Sequence, residues 1–218
     1  MGSDDLAFLS GQWECLPMFQ IVVPAFNEEG ILEYILQHAM DAGYLEHLIL
    51  VDDASTDTTP KILEWWAANF GLMSIRLQQN CKKEGAIRIA MEELQDAGEL
   101  RPYTLLLDAD SMLVDDTLGR SVISQIERCI DNMQQFDYKA LALRIDAFQR
   151  PNATLFEACA LADYTAMQVD QWLCGHQGQL WVINGPGGLF DSTNLLSILL
   201  AIEPDFETGD LLNNRKAD

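Results

Sequence analysis

Carboxylates gather where short apolar segments end. Asp52 and Asp53 follow one such segment, and Asp108 and Asp110 follow Tyr103–Leu107. If both segments are strands of one sheet, these side chains meet at its edge and repel each other unless a cation binds among them. Mg²⁺ and Mn²⁺ prefer oxygen ligands and leave positions open for substrate phosphates. The pattern therefore predicts a divalent metal among these carboxylates. Of Asp108 and Asp110, one can hold the metal while the other supports a ribose or a metal-bound water.

The chain between and around these carboxylates alternates apolar runs with helical patterns, which favours an α/β fold with a largely parallel, Rossmann-like sheet. Strands are predicted at Gln20–Pro24, His47–Val51, Ser74–Leu77, Tyr103–Leu107, Lys139–Ile145 and Leu180–Ile183. Helices are predicted at Glu28–Asp41, Thr58–Phe70, Gly85–Ala97, Asp116–Met133 and Thr154–Gln171, and a Gly-rich turn at 185–188 leads into Leu189–Ile202. Right-handed crossovers place the strand carboxyl ends along one edge, where such sheets bind ligands.

Each aspartate also has a purely structural interpretation. Asp52 or Asp53 alone could cap the next helix or form an Asx turn. Asp108 and Asp110 are two residues apart, so in an extended segment their side chains point to the same side. Four carboxylates at two matching strand ends favour the metal site over the structural interpretation.

Composition restricts the partners. The 34 acidic residues outnumber the 13 basic ones, for a formal net charge of −21. Such a surface repels phosphate backbones, so nucleic acid is not an expected partner, and a phosphorylated ligand needs a metal ion or one of the few lysines and arginines. The five cysteines lack a C-x-x-C spacing and the three histidines are far apart. Neither a disulfide framework nor a zinc site is expected.

Length and hydropathy predict one domain over residues 1–218 without a membrane span. Apolar stretches such as Leu195–Ile202 are much shorter than the ~20 residues that cross a bilayer. The first residues show neither a signal peptide nor a transit peptide. The expected location is the cytoplasm, or the cytosolic face of a membrane if the chain is part of a larger synthase.

Six sequence blocks occur in the order found in glycosyltransferase family 2, and the chain resembles a member of that family with the GT-A fold. The resemblance covers Ile21 to Leu212 and is specific because all six blocks are present. The blocks are IVVPAFNEE from Ile21, ILVDDASTDT from Ile49, NCKKEGAI from Asn80, LLLDADS from Leu105, NGPGGLF from Asn184 and ETGDLL from Glu207.

The resemblance implies a nucleotide-sugar site in the first half of the chain, about 18–111. It implies that Asp52 or Asp53 meets the base, that Lys83 or its neighbour Lys82 lies beside the diphosphate, and that Asp108 supports the donor. Asp108 and Asp110 match the family's Asp-x-Asp metal motif. The walls of the nucleotide pocket would be Pro24, Ala25, Asn27 and Glu28 or Glu29.

The second half, about 112–218, is implied to serve the acceptor. Gly185, Pro186, Gly187 and Gly188 match a loop that lies against the acceptor in relatives, and a plain turn is the alternative. Asp210 matches the general base of inverting members. The family usually has Thr-Glu-Asp or Gly-Asp-Asp here, whereas this chain has Thr208-Gly209-Asp210, so Glu207 is the alternative base and a helix cap is the alternative role for Asp210.

The implied activity is that of an inverting, metal-dependent hexosyltransferase that moves a sugar from a UDP-sugar, or another nucleoside diphosphate sugar, to a carbohydrate or lipid-linked acceptor. Processive members continue with a Gln-x-x-Arg-Trp motif and membrane helices, which are not found after Asp210 here. We therefore expect a chain truncated at its C-terminus, with membrane contact through segments outside it.

Two other functions fit parts of the pattern. A domain that binds nucleotide without transferring sugar would keep the same pocket residues. A phosphatase of the haloacid dehalogenase type also places Asp-x-Asp after an apolar strand. That motif requires Thr or Val four residues after the first aspartate, and Met112 stands there.

Overall fold

A computed structural model describes residues 17–116, 118–142 and 187–201 of the chain, and structural statements concern these residues. A six-stranded mixed sheet forms its centre, with the strands in the order β3-β2-β1-β4-β6-β5. The strands are β1 Phe19–Ala25, β2 Leu48–Asp52, β3 Met73–Arg76, β4 Tyr103–Leu107, β5 Ala140–Ala142 and β6 Gly187–Asp191. The helices are α1 Leu32–Asp41, a 3₁₀ turn Leu45–His47, α2 Thr59–Phe70, α3 Lys82–Ala97, α4 Val122–Phe136 and α5 Ser192–Ala201.

Strand β1 shows why this sheet is buried on both faces. Ile21 and Val23 belong to a core cluster shared with α1, α2 and α4, while Val22 belongs to a second cluster shared with α3 and α5. Successive strand residues point to opposite faces, so a continuous apolar run supplies both cores. The fold is thus an α/β sandwich of three layers in its described part.

The first four strands are parallel. Strand β1 pairs with β2 on one side and β4 on the other, and β3 pairs with β2. The chain therefore moves outward from β1 to β3 and then returns to the opposite side of β1 for β4. This reversal is the topological switch point at which open α/β sheets form a crevice outside the strand carboxyl ends.

Helix α3 begins at Lys82, three residues before the predicted Gly85. Two other helices begin later than predicted because polar side chains bind backbone groups ahead of them. Helix α1 begins at Leu32, not Glu28, since residues 27–29 hydrogen-bond to the neighbouring β2–α2 loop. Helix α4 begins at Val122, not Asp116, since Asp116 accepts from the amides of Leu118 and Arg120. The predicted helix Thr154–Gln171 and strand Leu180–Ile183 lie outside the described residues.

The turn predicted at Gly187 and Gly188 is wrong. Both glycines lie in β6, which pairs antiparallel with β4 and with β5. Gly188 is paired to Leu106 on one side and Ala142 on the other. Local composition predicts a turn at consecutive glycines, but this long-range pairing overrides the local preference. The helix after β6 accordingly begins at Ser192.

In the described part of the chain, no helix combines the length and the apolar character needed to span a bilayer.

A buried histidine lies at the edge of the sheet opposite the strand carboxyl ends. His47 stacks on Phe19 with 4.3 Å between ring centroids and an interplanar angle of 4°. Its Nδ1 lies 3.4 Å from the guanidinium of Arg101. Burial lowers the pKa of His47, and the Arg101 cation lowers it further, against the opposing effect of the Phe19 carbonyl. Burial thus favours the neutral form of His47 in the folded protein.

We expect the free energy of unfolding to fall as the pH is lowered below the ordinary histidine value of 6.5. The unfolded chain binds a proton at His47 in that range while the folded protein resists it, so acid favours unfolding with a slope of at most ~1.4 kcal/mol per pH unit. Denaturant titrations between about pH 5.5 and 8 measure this slope. His47→Gln should flatten it, and equal slopes in the two proteins would contradict the assignment.

Candidate functional site

An open cavity of about 300 Å³ lies at the switch point, where the loops after β1, β2 and β4 meet the first turn of α3. Its lining combines four carboxylates, one ammonium, one exposed aromatic ring and small apolar groups. The lining residues are Pro24, Ala25, Phe26, Glu28, Asp53, Lys83, Asp108, Ala109 and Asp110. The predicted convergence of segments at one edge of the sheet is therefore present in the structure.

Unusual backbone conformations concentrate around this cavity. Three of the four non-glycine residues with positive φ in the described part, Asn27, Ala54 and Lys82, lie in or beside a loop that lines the cavity. The fourth, Asp137, ends α4. Positive φ is unfavourable for alanine and lysine and less so for asparagine. Backbone strain of this kind is typical of functional sites, where the surrounding structure holds it in place.

The adjacent residues Asp52 and Asp53 have different roles. Asp53 lines the cavity, and its Oδ1 accepts a hydrogen bond of 2.6 Å from the amide of Cys81 at the start of α3. Burial raises the pKa of Asp53, although the backbone hydrogen bonds from Cys81 and Lys82 oppose that rise. Asp53 thus joins the end of β2 to the start of α3 at the wall of the cavity.

Asp52 has the structural role that the sequence left open. Its Oδ1 accepts from the amide of Ser55, which forms the local turn, and it is absent from the cavity lining. Its Oδ2 is buried without a hydrogen bond and lies 3.4 Å from Nε of Arg76, the residue paired with it on β3. That separation provides electrostatic attraction without hydrogen-bond geometry.

Asp108 and Asp110 both line the cavity, but through a turn and not an extended segment. Strand β4 ends at Leu107, and the amide of Ser111 donates to the carbonyl of Asp108 at 3.0 Å. Ala109 is buried between the two aspartates. The ammonium of Lys83 donates to Oδ1 of Asp108, which puts the α3 cation beside the carboxylate pair.

The same loop is anchored to α1 and its C-terminal turn by both backbone groups of Leu113. Its carbonyl accepts from Nε2 of His38 at 2.8 Å, and its amide donates to the hydroxyl of Tyr44 at 3.3 Å. Tyr44 is fully buried, and burial raises its pKa. These contacts were not predicted, since residues 69 and 75 positions apart in the chain carry no local signal of the pairing.

The pKa of Glu28 reflects its burial and the negative charge around the cavity. Burial raises the pKa of Glu28, and repulsion from Asp110, Asp57 and Asp108 raises it further. A nearby like charge disfavours the ionised form, so these carboxylates influence one another across the cavity. A bound cation would relieve the repulsion and lower the pKa of Glu28.

The carboxylates of the cavity fit a metal ion that is coordinated in part by a bound ligand. Within the described ranges, no group of three or more His, Cys, Asp or Glu side chains is arranged to hold a metal ion by themselves. Mg²⁺ at nucleotide sites is usually held by one or two carboxylates together with water and substrate phosphates. Asp108 and Asp110 supply such a pair of oxygen ligands on one short turn.

Most of the predicted pocket residues meet at the cavity. Asn27 and Asp52 are described but do not belong to the lining, and neither do Glu29 and Lys82, the alternatives to Glu28 and Lys83. Phe26 and Ala109 line the cavity but were missed, although both are flanked by predicted residues in the same motifs. Gly185, Pro186, Glu207 and Asp210 lie outside the described residues, so the acceptor loop and the base remain predictions.

The sequence profile of Glycosyl transferase family 2 matches residues 20–152, which is more than half of the chain. The chain belongs to glycosyltransferase family 2. The matched residues include the whole cavity lining, from Pro24 to Asp110. The match confirms the resemblance found in the sequence. It leaves no support for the phosphatase alternative.

This family 2 chain is similar to a human enzyme and to a solved mannosyltransferase structure. Human dolichyl-phosphate beta-glucosyltransferase is 31% identical over 120 residues, which cover 46% of this chain and 36% of the human protein. The structure of the mannosyltransferase PcManGT from Pyrobaculum calidifontis, in complex with GDP-Man and Mn²⁺, aligns with a TM-score of 0.54 at 21% identity and covers 87% of this chain and 48% of its own. The latter likeness shows the fold. In both comparisons the match takes in less than half of the relative.

Proposed function

We propose that this family 2 chain transfers a sugar from a nucleoside diphosphate sugar to an acceptor hydroxyl and requires Mg²⁺ or Mn²⁺ to do so. The observation that carries the proposal is the charge of the cavity lining, which has Glu28, Asp53, Asp108 and Asp110 against the single ammonium of Lys83. An anionic diphosphate can enter such a cavity only with a compensating cation. The GDP-Man and Mn²⁺ bound to PcManGT support the same combination.

The donor is proposed to bind along the cavity through three contacts. The ring of Phe26 is 44% exposed, so it offers a stacking surface for a base. The Asp53 carboxyl group can accept hydrogen bonds from the base, and the Lys83 ammonium can pair with the diphosphate. We propose a UDP-sugar as the donor, with the sugar a hexose.

Asp108 and Asp110 would hold the divalent cation, which when bound supplies positive charge that stabilises the diphosphate as a leaving group. Lys83 contributes further positive charge on the α3 side of the same pair. Glu28 remains ionised more readily once the repulsion is screened, so its carboxylate can orient a hydroxyl of the donor. The proposed contacts to the metal and the donor in this paragraph use only carboxylate oxygens and the ammonium of Lys83.

The proposed transfer is a single in-line displacement. The acceptor hydroxyl attacks the anomeric carbon from the face opposite the diphosphate, the bond from that carbon to the diphosphate oxygen breaks, and the anomeric configuration is inverted. Asp210 takes the proton of the hydroxyl as general base. No covalent intermediate with the protein forms.

We assign the nucleotide half of the domain to residues of about 18–111 and the acceptor side to about 112–218. The cavity lining falls entirely in the first half, which supports this division. The acceptor is proposed to be a carbohydrate or a lipid-linked group. The second class agrees with the name of the human relative, which acts on a dolichyl phosphate according to that name.

Thermal unfolding with nucleotides and metals tests the proposal. UDP or GDP together with Mn²⁺ should raise the melting temperature by roughly 5–10 °C at about one hundred times Kd, because a ligand that binds only the folded state stabilises it. UDP without metal should give a much smaller shift, as should UMP with Mn²⁺, which lacks the second phosphate. An equal shift in the presence of a chelator would contradict metal dependence, and no shift with any nucleoside diphosphate would contradict the site.

A further inference from the structure

Two loops that line the cavity are joined by a dense set of side-chain hydrogen bonds. We call this set the loop clasp: residues Asn27, Glu28 and Glu29 after β1, with Ser55, Thr56, Asp57, Thr58 and Thr59 after β2. The contacts run in both directions, since amides of each loop donate to side chains of the other. Such reciprocal bonding holds two loops in one relative position.

Asn27 occupies the centre of the loop clasp. Its Oδ1 accepts from the amide of Thr56 at 2.8 Å, from the Thr56 hydroxyl at 3.3 Å and from the amide of Asp57 at 3.3 Å. Its own amide donates to Oγ of the buried Ser55 at 3.0 Å. One exposed side chain therefore satisfies two amides of the second loop.

Other clasp contacts lie on either side of this centre, among them the amide of Glu29, which donates to Oδ2 of Asp57 at 3.1 Å. The amide of Glu28 donates to Oγ1 of Thr59, which is fully buried, at 2.9 Å. The amide and hydroxyl of Thr58 both donate to Oε2 of Glu29, at 3.0 and 2.7 Å. These bonds lower the pKa of Glu29, the hydroxyl contributing most, which keeps the carboxylate ionised as an acceptor.

The backbone of Asn27 has the conformation that this role requires. Its φ is 59°, in the left-handed region that asparagine tolerates better than most residues. In that conformation the side chain is directed to the second loop, while the residues before and after it, Phe26 and Glu28, line the cavity. Asn27 itself does not belong to the lining.

We propose that Asn27 is a positioning residue that fixes the Phe26–Glu28 side of the nucleotide cavity against the Asp53 side, without touching the ligand. This role rests on the proposed function, since it assumes that a nucleoside diphosphate binds in the cavity. Loops already held in the bound arrangement lose less conformational entropy when the ligand arrives. The loop clasp explains why asparagine occupies position 27 of the IVVPAFNEE block, although its side chain does not contact the ligand.

Three variants test the role of Asn27. Asn27→Gly retains access to positive φ but removes the acceptor, and should weaken affinity for UDP with Mn²⁺ about 10-fold, the scale of one or two lost hydrogen bonds. Asn27→Asp keeps both the acceptor oxygen and the tolerance of positive φ, and should lie closer to the wild type than to the glycine variant. Thr59→Val removes the acceptor of the Glu28 amide from a buried position outside the lining, and should weaken affinity in the same way.

Titration calorimetry with UDP and Mn²⁺ measures these affinities at a temperature where each variant gives the far-UV spectrum of the wild type. Hydrogen exchange of the Thr56 and Asp57 amides reports on the loop clasp without any ligand, and should be faster in Asn27→Gly than in the wild type. A loss of affinity in Asn27→Gly but not in Thr59→Val would overturn the proposal in favour of direct ligand contact. Unchanged exchange would overturn the clasp itself, whereas a wild type that binds neither UDP nor GDP would overturn the proposed function.

Discussion

Asp110→Asn is expected to lower the Mn²⁺-dependent affinity for UDP by roughly 100-fold or more, since even the loss of an outer-shell partner of a metal ligand costs about 10–100-fold. An amide oxygen is a weaker ligand than a carboxylate for a hard cation and carries no charge. Asp110 lies on the turn after β4 and lines the cavity, so its loss should affect the metal and spare the cores. Titration of UDP with and without Mn²⁺ measures the effect.

The same substitution should reduce the repulsion at Glu28, because Asp110 is the largest charge contribution to its raised pKa. The pKa of Glu28, followed by NMR, should therefore move down toward its ordinary range in the metal-free variant. Asp131→Asn is the matched control, since it removes one charge from an exposed position on α4 outside the cavity. Unchanged metal-dependent affinity in Asp110→Asn, or an equal loss in both variants, would place the metal elsewhere.

Asp210→Asn is expected to reduce sugar transfer by ~10²-fold or more while leaving the affinity for UDP with Mn²⁺ nearly unchanged. A general base acts on the acceptor hydroxyl and not on the nucleotide, so binding and turnover should separate. Asp210 lies outside the described residues, and its role rests on the position of the aspartate in the ETGDLL block. Transfer rates from a radiolabelled donor, with affinity measured in parallel, give both quantities.

Glu207→Gln is the control for this experiment, since it removes the neighbouring carboxylate of the same block. Full transfer by Asp210→Asn together with loss in Glu207→Gln would move the base to Glu207. A wild type that binds nucleotide and transfers no sugar to any acceptor would favour the alternative of a binding domain. The two substitutions therefore locate the general base, whereas the wild-type assay tests whether sugar transfer occurs at all.

The alternation of elements up to residue 110 was predictable because each strand and helix has its own local period. Apolar runs such as Tyr103–Leu107 were predicted at their observed bounds, and Pro60 and Gly71 mark the start and end of α2. The start of α1 moved because side chains of the distant β2–α2 segment bind the amides of Glu28 and Glu29. Such contacts have no local period and are absent from sequence patterns.

The sequence predicted the chemical groups of the candidate site better than it predicted which residue has which role. The motifs identified the carboxylates and Lys83, because residue type and position at a strand end limit what a side chain can do. They did not distinguish Asp52 from Asp53, since adjacent residues share the same motif. The hydrogen bonds of Asp52 to Ser55 and of Asp53 to Cys81 separate the two roles in the folded chain.

By itself, the sequence determined the family, the α/β class and the presence of acidic side chains suited to a metal and a diphosphate. The tertiary structure decided which of those side chains meet: Asp53, Glu28, Asp108 and Asp110 line the cavity, and Asn27 joins two loops beside it. It also decided that Gly187 and Gly188 extend the sheet as β6. The physical reason is that local periodicity depends on neighbours along the chain, whereas these placements depend on hydrogen bonds and strand pairing between residues about 25 to 85 positions apart.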